Sequence, residues 1–505
     1  MANRTFISVI SVKQGSGPLG AEDMRCQNIP VLMATQHPDS SRCISVYEEV
    51  DEAIEAYTRF SCDEVMIDYE GKLTPYHQVE WIIEKAFEYG IPIGKEYILT
   101  PRIPNDDLED LSRHIIAILE AFLANIKAQH LGLPQVVRYV IIPMTENVRD
   151  SIRIQRRLYK IERVMSEECG LDPTKALVVI PLIETVDRQI HVDSIVEAFH
   201  RALLKEVSFF TNEVRVFLGK SDSALLHGHL SSSLALKIAL NKLYRWGEEH
   251  FISVRPILGM GKPPFRGYLS PENISSWVKT WRGYSTVTIQ SALRYNTSLN
   301  EYMRTISLIR GNSNQKPDIL DPRIESILLR IIPKIASSYR RYVVKTVNGL
   351  YSIFDLVPPT RERMQYTEYH RVIENTKIPR AIKFVAGYYT IGLPPTLLDL
   401  PGLNKLNDKL IEVILEAYPE ITIDLEHDLA YYNYEIAKYF ILHEILEEID
   451  KSIKNVADKF SLDIKQCSIS EYWNLAKKIP SLIKIEPTVV KEVIKHMAEI
   501  RGFLG

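Results

Sequence analysis

Eight short runs of apolar and β-branched residues recur along the first part of the chain, and each is followed by a stretch with helical spacing. The runs occupy residues 29–35, 63–69, 94–100, 136–144, 176–183, 213–219, 251–258 and 285–293. The stretches between them carry apolar residues at about every third or fourth position, which indicates amphipathic helices. Near-continuous apolar strands separated by helices are typical of a parallel sheet covered on both faces. Eight such units predict an α/β fold built on a closed (β/α)₈ TIM-type barrel.

An open doubly wound sheet is the alternative to the barrel. That fold usually has a GxGxxG stretch after its first strand, and none stands there. The chain is therefore divided into an N-terminal arm (1–28), the barrel (29–312) and a large, mainly helical C-terminal region packed on it (313–505). Within that last region, residues 424–460 have the pattern of one long amphipathic helical stretch.

Composition excludes several classes of protein. The 505 residues carry a formal net charge of −3 with no basic block, which argues against nucleic acid as a partner. No apolar run approaches the roughly 18 residues of a membrane span, and the N-terminus lacks the apolar core of a signal peptide. The five cysteines are scattered, without a CxxC pair, and this favours reduced thiols in the cytoplasm over disulfides or a zinc site.

A barrel enzyme places its catalytic groups directly after the strands, at the carboxyl face. Polar residues follow each of the eight predicted strands: His37 and Asp39; Asp68, Glu70 and Lys72; Arg102; Thr145 and Glu146; Glu184 and Thr185; Lys220, Ser221 and Asp222; Lys262 and Arg266; Arg294. Any one of them could be a solvated loop charge or a helix cap, as Asp222 and Glu146 illustrate. Together they predict a site at this face.

The residue types of this set indicate its chemistry. Two carboxylates, Glu184 and Asp222, could hold Mg²⁺ or Mn²⁺, which prefer oxygen ligands and open positions for water and substrate. His37 is a candidate general base, because the unperturbed pKa of an imidazole, about 6.5, suits proton transfer. The cations that could bind phosphate or carboxylate groups are Arg102, Lys220, Lys262, Arg266 and Arg294. These residues predict a site for a phosphorylated, carboxylated small molecule and a divalent metal.

Four segments, taken together, resemble the phosphoenolpyruvate carboxylase family, in its short archaeal-type branch. They are MATQHPDSSR (33–42), PLIETV (181–186), LGKSDSA (218–224) and GMGKPPFRG (259–267), and residues 376–400 also resemble the family's C-terminal part. The resemblance implies carboxylation of phosphoenolpyruvate by bicarbonate, through carboxyphosphate and a metal-stabilised enolate, to oxaloacetate and phosphate. It also implies Mg²⁺ or Mn²⁺, an anaplerotic role in the cytoplasm and a homotetramer.

The resemblance gives the candidate residues roles. His37 would take the proton from carboxyphosphate, and Glu184 and Asp222 would bind the metal. Arg266 would steady phosphate and carboxyphosphate, while Arg102 and Arg294 fall near arginines of the family that bind substrate.

The chain also departs from the long enzymes of the family. Leu258 and Met260 stand where those enzymes have His and Arg at the start of the Gly-rich loop, and Leu225 stands where they have Lys. We hypothesise that Lys220 or Lys262 supplies the missing positive charge. The final residues RGFLG lack the family's Asn-containing tail, so we expect weaker inhibition by aspartate.

Two other readings remain open at this point. One is a different metal-dependent barrel enzyme acting on a phosphorylated enol or a 2-oxo acid, such as a lyase or a phosphotransferase. The other is a non-catalytic helical scaffold that retains a relict barrel. Dependence on bicarbonate distinguishes the carboxylase from the first, and Mg²⁺-linked stabilisation by ligand distinguishes it from the second.

Overall fold

Eight parallel strands close into a barrel in sequence order. The computed structural model describes residues 29–35, 44–143, 148–172, 176–206, 211–359, 371–462 and 470–505. The strands are β1 (Leu32–Thr35), β2 (Glu64–Asp68), β3 (Ile98–Arg102), β4 (Tyr139–Ile142), β5 (Val178–Ile183), β6 (Glu213–Gly219), β7 (Ser253–Gly259) and β8 (Thr286–Ile289). Each overlaps one of the eight apolar runs, with β3 and β7 ending slightly beyond theirs, and β1 pairs with β8 to close the sheet. The predicted barrel is therefore confirmed.

Helices follow each strand and cover the outside of the barrel. They are α1 (Glu48–Thr58), α2 (Gln78–Glu88), α3 (Leu111–His130), α4 (Val148–Cys169), α5 (Val186–Gln189), α6 (Val192–Glu206), α7 (Lys220–His227), α8 (His229–His250), α9 (Ile274–Thr280), α10 (Ser291–Tyr295) and α11 (Leu299–Asn312). Side chains near the helix ends cap some of these helices. Ser298 and Glu301 form a reciprocal capping box at the start of α11, which satisfies backbone N–H groups that have no partner within the helix.

The interior of the barrel is filled by side chains. A small apolar cluster occupies it, formed by Met33, Met66, Ile141, Ile180, Leu182, Phe217 and Ile257. Towards the amino ends of the strands, Arg215 donates two hydrogen bonds of 2.9 and 2.7 Å to the carboxylate of Glu64. A buried charge that keeps its partner avoids the large cost of an unpaired ion. The barrel is therefore a packed core, and open chemistry is left to the loops at its carboxyl face.

The remainder of the described chain is mainly helical, with one hairpin that the sequence did not predict. The elements are α12 (Pro322–Val347), α13 (Tyr351–Phe354), β9 (Arg371–Ile373), β10 (Thr376–Ile378), α14 (Ala381–Thr390), α15 (Leu400–Leu403), α16 (Asp408–Ala417), α17 (Ile421–Leu429), α18 (Tyr434–Ala437), α19 (His443–Phe460), α20 (Ser470–Ala476), α21 (Ile479–Ile485) and α22 (Pro487–Arg501). β9 and β10 pair in antiparallel fashion.

The stretch 424–460 is not the single long helix that its pattern suggested. It contains the end of α17 and all of α18 and α19. Asn433 separates the first two: its side chain accepts a hydrogen bond from the backbone N–H of Ile436, and its own N–H donates to the carbonyl oxygen of Gly392. A side chain that caps a new helix while the backbone bonds elsewhere interrupts the helical ladder.

The helical region shares one continuous hydrophobic core with the outer layer of the barrel. Buried polar contacts also join the two. The hydroxyl of Tyr339 donates to the carbonyl oxygen of Leu225 at 3.1 Å, and Asp399 accepts the backbone N–H of Leu230 at 2.7 Å. These contacts fix the C-terminal helices against α7 and α8, beside the carboxyl ends of β6 and β7.

Two further features bear on the expectations from composition. None of the helices in the described part of the chain is long and apolar enough to cross a membrane. Cys62 and Cys169, the two cysteines among the described residues, are both free thiols. The N-terminal arm, Thr145, Glu146 and the other three cysteines lie outside the described residues.

Candidate active site

The ends of β2 and β3 bring four charged side chains together. Arg102 donates to both oxygens of Asp68, at 2.8 and 2.7 Å, and its Nη2 lies 2.9 Å from the carboxylate of Glu70. The ammonium of Lys72 pairs with the same Asp68. Asp68, Glu70 and Lys72 are almost fully buried. Charges are buried in proteins when they are paired, so this arrangement holds Glu70 rigidly at the barrel mouth.

Glu184 and Asp222 meet at the ends of β5 and β6. Helix α7 begins at Lys220, immediately after β6 ends at Gly219, so Asp222 lies in its first turn. Gly219 leaves room for this approach, because a Cβ there would lie 3.1 Å from Cγ of Glu184 and crowd its side chain. The two carboxyl groups hydrogen-bond each other. The structure thus brings together the two residues predicted to bind metal.

The pKa values of this pair move in opposite directions. Burial, with the negative charges of Asp222 and Glu70, raises the pKa of Glu184 to about 8. Burial also disfavours the charged form of Asp222, but the guanidinium groups of Arg371 and Arg380 outweigh it and lower the pKa of Asp222. Two adjacent carboxylates that cannot both ionise share a proton. A cation between them would replace that proton.

Arginines from the C-terminal region complete the cluster. Arg371, the first residue of β9, donates to both oxygens of Asp222 at 3.2 and 2.9 Å. Its Nη1 is buried and has no hydrogen-bond partner among the described residues. Arg380 forms a salt bridge with Glu70, with 3.7 Å between its Nη2 and the carboxylate oxygen. The guanidinium groups of Arg102, Arg380 and Arg371 lower the pKa of Glu70, although burial alone would raise it.

Arg266 lies beside this cluster and is held by three partners. Its Nε donates to the hydroxyl of Ser221 at 2.9 Å, its Nη2 to Oε1 of Gln290 at 2.7 Å, and its Nη1 to the main-chain oxygen of Gly505. Burial lowers the pKa of Arg266 to about 10. The negative charge of Asp222, which follows Ser221 in the chain, opposes this change. The C-terminal residues therefore reach the barrel mouth.

The two lysines of the predicted site point elsewhere. The buried ammonium of Lys220 donates to the carbonyl oxygen of His229 at 2.8 Å, and the negative charges that act on it are those of Asp424 and Asp399, which belong to the helical region. Burial lowers the pKa of Lys220 to about 7. Lys262 lies against Gly502 of the C-terminal tail. The structure does not bring either ammonium to the carboxylates, and their part in substrate binding stays a prediction.

Arg294 ties the last strand to the first. Its Nη2 donates to the carbonyl oxygen of Thr35 at 2.8 Å and to Glu52 at 2.7 Å. Thr35 is the last residue of β1 and lies two positions before His37. His37 itself lies outside the described residues, so its role stays a prediction. Arg294 therefore fixes the strand end from which the His37 segment continues.

The positions that depart from the long enzymes are packed as core. Leu225, Leu258 and Met260 are all fully buried. Gly267, with a φ of +112°, fits closely against Met260, and a Cβ there would lie 2.8 Å from its Cγ. At these three positions, apolar side chains pack in the core of this chain, where the expectation from the long enzymes was a charged or titratable side chain.

Two residues of the cluster, Gln290 and Arg371, were not among the sequence candidates. Gln290 directly follows β8, and that position was the available signal. Asp68, Glu70 and Lys72 were predicted at the end of the second strand, but without individual roles. Arg371 comes from a hairpin about 150 residues after Asp222, and nothing in the local sequence indicates that the fold brings them together.

Comparisons with known proteins agree with this geometry. A family model described as phosphoenolpyruvate carboxylase matches residues 29–505. A phosphoenolpyruvate carboxylase of Pyrobaculum arsenaticum is 39% identical and aligns with 95% of this chain and 100% of its own length. The corresponding values are 37%, 94% and 99% for one of Thermofilum pendens, and 32%, 86% and 89% for one of Methanosarcina barkeri.

Among solved structures, an aldolase/citrate lyase family protein of Burkholderia cenocepacia matches 57% of this chain and 96% of its own, with 14% identity and a TM-score of 0.32. That likeness is too weak to bear on function. The family match and the identities decide the assignment: the chain belongs to the phosphoenolpyruvate carboxylase family, in its archaeal-type branch.

Proposed function

We propose that this protein carboxylates phosphoenolpyruvate with bicarbonate, giving oxaloacetate and phosphate, at the carboxyl face of its barrel. The observation that carries the proposal is the buried pair Glu184 and Asp222, set among the guanidinium groups of Arg371, Arg380 and Arg102. Two acids for a metal and several cations for anions suit a substrate that carries both a phosphate and a carboxylate. The names of the related proteins support the same reaction.

The donor set fits Mg²⁺ or Mn²⁺. Glu184 and Asp222 offer carboxylate oxygens, which hard divalent cations prefer, and leave positions for water and substrate oxygens. Because Glu184 and Asp222 share a proton when no metal is bound, a positive charge is favourable between their carboxyl groups. When bound, the ion would act as a Lewis acid that neutralises charge on the enolate oxygen and the phosphate. Arg371 would hold Asp222 from outside, as partners of metal ligands commonly do.

The basic side chains would bind and orient the substrate. Arg371, whose Nη1 is buried without a partner among the described residues, and the half-buried Arg380 adjoin the cluster and would donate to phosphate or carboxylate oxygens. Arg102 keeps Asp68 and Glu70 neutralised, so their charges do not repel the substrate. Preorganised donors of this kind stabilise charge that moves from the phosphate ester to the leaving groups.

The proposed reaction has two stages. An oxygen of bicarbonate attacks phosphorus, the bond from phosphorus to the enol oxygen breaks, and carboxyphosphate and the enolate form. His37 takes the carboxyl proton of carboxyphosphate, which splits into CO₂ and phosphate, and the enolate carbon attacks CO₂. Arg266, held by Ser221, Gln290 and Gly505, would steady the phosphate through both stages.

The C-terminal region would keep water from the enolate. The β9–β10 hairpin supplies Arg371, and the tail ending at Gly505 covers Arg266. Exclusion of water prevents protonation of the enolate and hydrolysis of carboxyphosphate. We also propose the cytoplasm as the location, an anaplerotic role and a homotetrameric assembly, all of which rest on the family.

The test is oxaloacetate formation from phosphoenolpyruvate and Mg²⁺, with and without bicarbonate, by wild type and His37→Asn. We expect oxaloacetate from wild type only when bicarbonate is present. We expect the variant to lose about 10²–10⁴-fold in that rate, the usual contribution of a general base. Release of phosphate without carboxylation in the variant would place His37 after phosphate transfer, as proposed. Formation of oxaloacetate independent of bicarbonate, or none at all from wild type, would refute the proposal.

A further inference from the structure

A second group of metal-ligating side chains lies on the outer helical layer. His77 directly precedes α2, Glu80 is in its first turn, and Glu120 lies midway along α3. One ligand atom from each side chain lies within 4.8 Å of the other two. None of the three belongs to the carboxylate cluster at the barrel mouth.

Glu120 makes this group more than a set of surface acids. Its side chain is buried, with 2% of the residue exposed. The backbone N–H of Glu80 hydrogen-bonds its carboxyl group, while Oε1 is buried and has no partner. An unsatisfied buried carboxylate oxygen costs free energy, and it needs either a proton or a cation. Burial and the charge of Glu80 raise the pKa of Glu120 to about 8.

No basic side chain neutralises the group within the described ranges. The ion pairs found there include none to Glu80 or Glu120. By contrast, the next acid along α2, Glu84, is paired with Lys127. The imidazole of His77 is exposed, so a metal ion could reach the group from solvent. The buried carboxylate of Glu120 would supply a charged ligand.

We propose that His77, Glu80 and Glu120 form a second metal site, which takes a divalent transition metal of the Zn²⁺ type. One imidazole nitrogen and two carboxylates are a ligand set that Zn²⁺ accepts, with water in the fourth position. An imidazole ligand favours such a metal over Mg²⁺, which prefers oxygen ligands and octahedral geometry.

The position of the site gives it a structural consequence. His77 is joined to Glu70 by the segment that links β2 to α2. The hydroxyl of Tyr69 already donates to the carbonyl oxygen of Tyr76 at 3.1 Å, across that segment. A metal bound at His77 and Glu120 would fix the start of α2 to α3, and with it the segment that carries Glu70 and Lys72.

The test is equilibrium dialysis of the full chain against Zn²⁺ in excess Mg²⁺, which is chosen to occupy the carboxylates at the barrel mouth. Wild type, His77→Ala and Glu120→Gln are compared. The matched control is His496→Ala, because His496 is also exposed beside acids, Glu471 at 3.0 Å and Glu499 at 3.7 Å. Because wild type and variants share any other Zn²⁺ site, the difference in bound metal belongs to this one.

We expect wild type and His496→Ala to bind about one Zn²⁺ per chain more than either His77→Ala or Glu120→Gln. Zn²⁺ should also raise the Tm of wild type more than that of His77→Ala, because a ligand that binds only the folded state stabilises it. His77 is exposed, so its replacement keeps the fold intact. Equal Zn²⁺ binding by all four proteins, or no bound Zn²⁺ in wild type, would overturn the proposal.

Discussion

At the scale of single residues, the repulsion between two neighbouring carboxylates organises the site. Glu184 and Asp222 are buried side by side, and in the absence of a cation the pair retains a proton on Glu184. Arg371 favours the charged form of Asp222 by donating to both of its oxygens. One carboxylate is thus kept ionised and oriented, and its neighbour is ready to exchange a proton for a metal.

This arrangement makes Arg371 a test of how the metal is held. Replacement of Arg371 by alanine removes the partner that orients Asp222. We expect the Mg²⁺ concentration for half-maximal rate to rise about 10–100-fold, the usual effect of losing a partner of a metal ligand. Initial rates over a Mg²⁺ series measure it. Arg310→Ala is the control, because Arg310 also pairs with an aspartate, Asp63, at the opposite end of the barrel. An unchanged Mg²⁺ dependence in Arg371→Ala contradicts this role.

At the scale of elements, local sequence predicted the barrel but not the parts that complete its mouth. Each strand lies largely in an apolar run short enough to be recognised by itself. The predicted strand ends led to Arg102, Glu184, Asp222 and Arg266, which the structure places at the barrel mouth, and their roles stay predictions. The contribution of the hairpin depends on the packing of α12 to α14 on the barrel. That packing is a long-range property, so no periodicity in 371–378 shows it.

The C-terminal tail is a second such element. Gly505 accepts a hydrogen bond from Arg266, and it packs so closely on α14 that a Cβ would lie 2.2 Å from the carbonyl oxygen of Ile382. We expect Gly505→Ala to displace the tail and lower kcat, by up to about 10²-fold if Arg266 shifts by about 1 Å. Steady-state kinetics measures this, with Tm as a check on folding. Gly311→Ala is the control, because a Cβ there meets nothing within 4 Å. Equal kcat values in the two variants would exclude a role for the tail.

At the scale of the whole molecule, the helical region is joined to the barrel through buried polar groups as well as apolar packing. Asp399 is an example. It accepts the backbone N–H of Leu230, while its Oδ1 is buried without a partner among the described residues. Burial raises the pKa of Asp399 to about 7, although the hydrogen bond and Lys220 oppose the change. The contact between the two regions is therefore sensitive to pH.

The sign of this dependence follows from linkage. The folded state holds the proton of Asp399 more tightly than the unfolded state, whose pKa is about 4. The free energy of unfolding therefore declines as pH rises from about 4 to about 7, by up to about 4 kcal/mol from this group. Asn mimics the protonated acid, so Asp399→Asn should flatten this decline and be more stable than wild type above pH 7. Denaturant unfolding of both proteins between pH 5 and 8 measures the difference, and parallel profiles would contradict it.

The most direct test of the central claim is the rate of bicarbonate-dependent oxaloacetate formation at saturating Mg²⁺ in Glu184→Gln and Glu162→Gln. Both replace a buried glutamate whose pKa is raised by burial, to about 8 and about 7. Glu184 directly follows β5 at the barrel mouth, whereas Glu162 lies on α4 of the outer layer. We expect Glu184→Gln to lose at least about 10²-fold in rate, as loss of a metal-held electrostatic contact does, and Glu162→Gln to retain the wild-type rate. Equal rates in the two variants would show that the carboxylates at the barrel mouth are not the metal centre of this reaction.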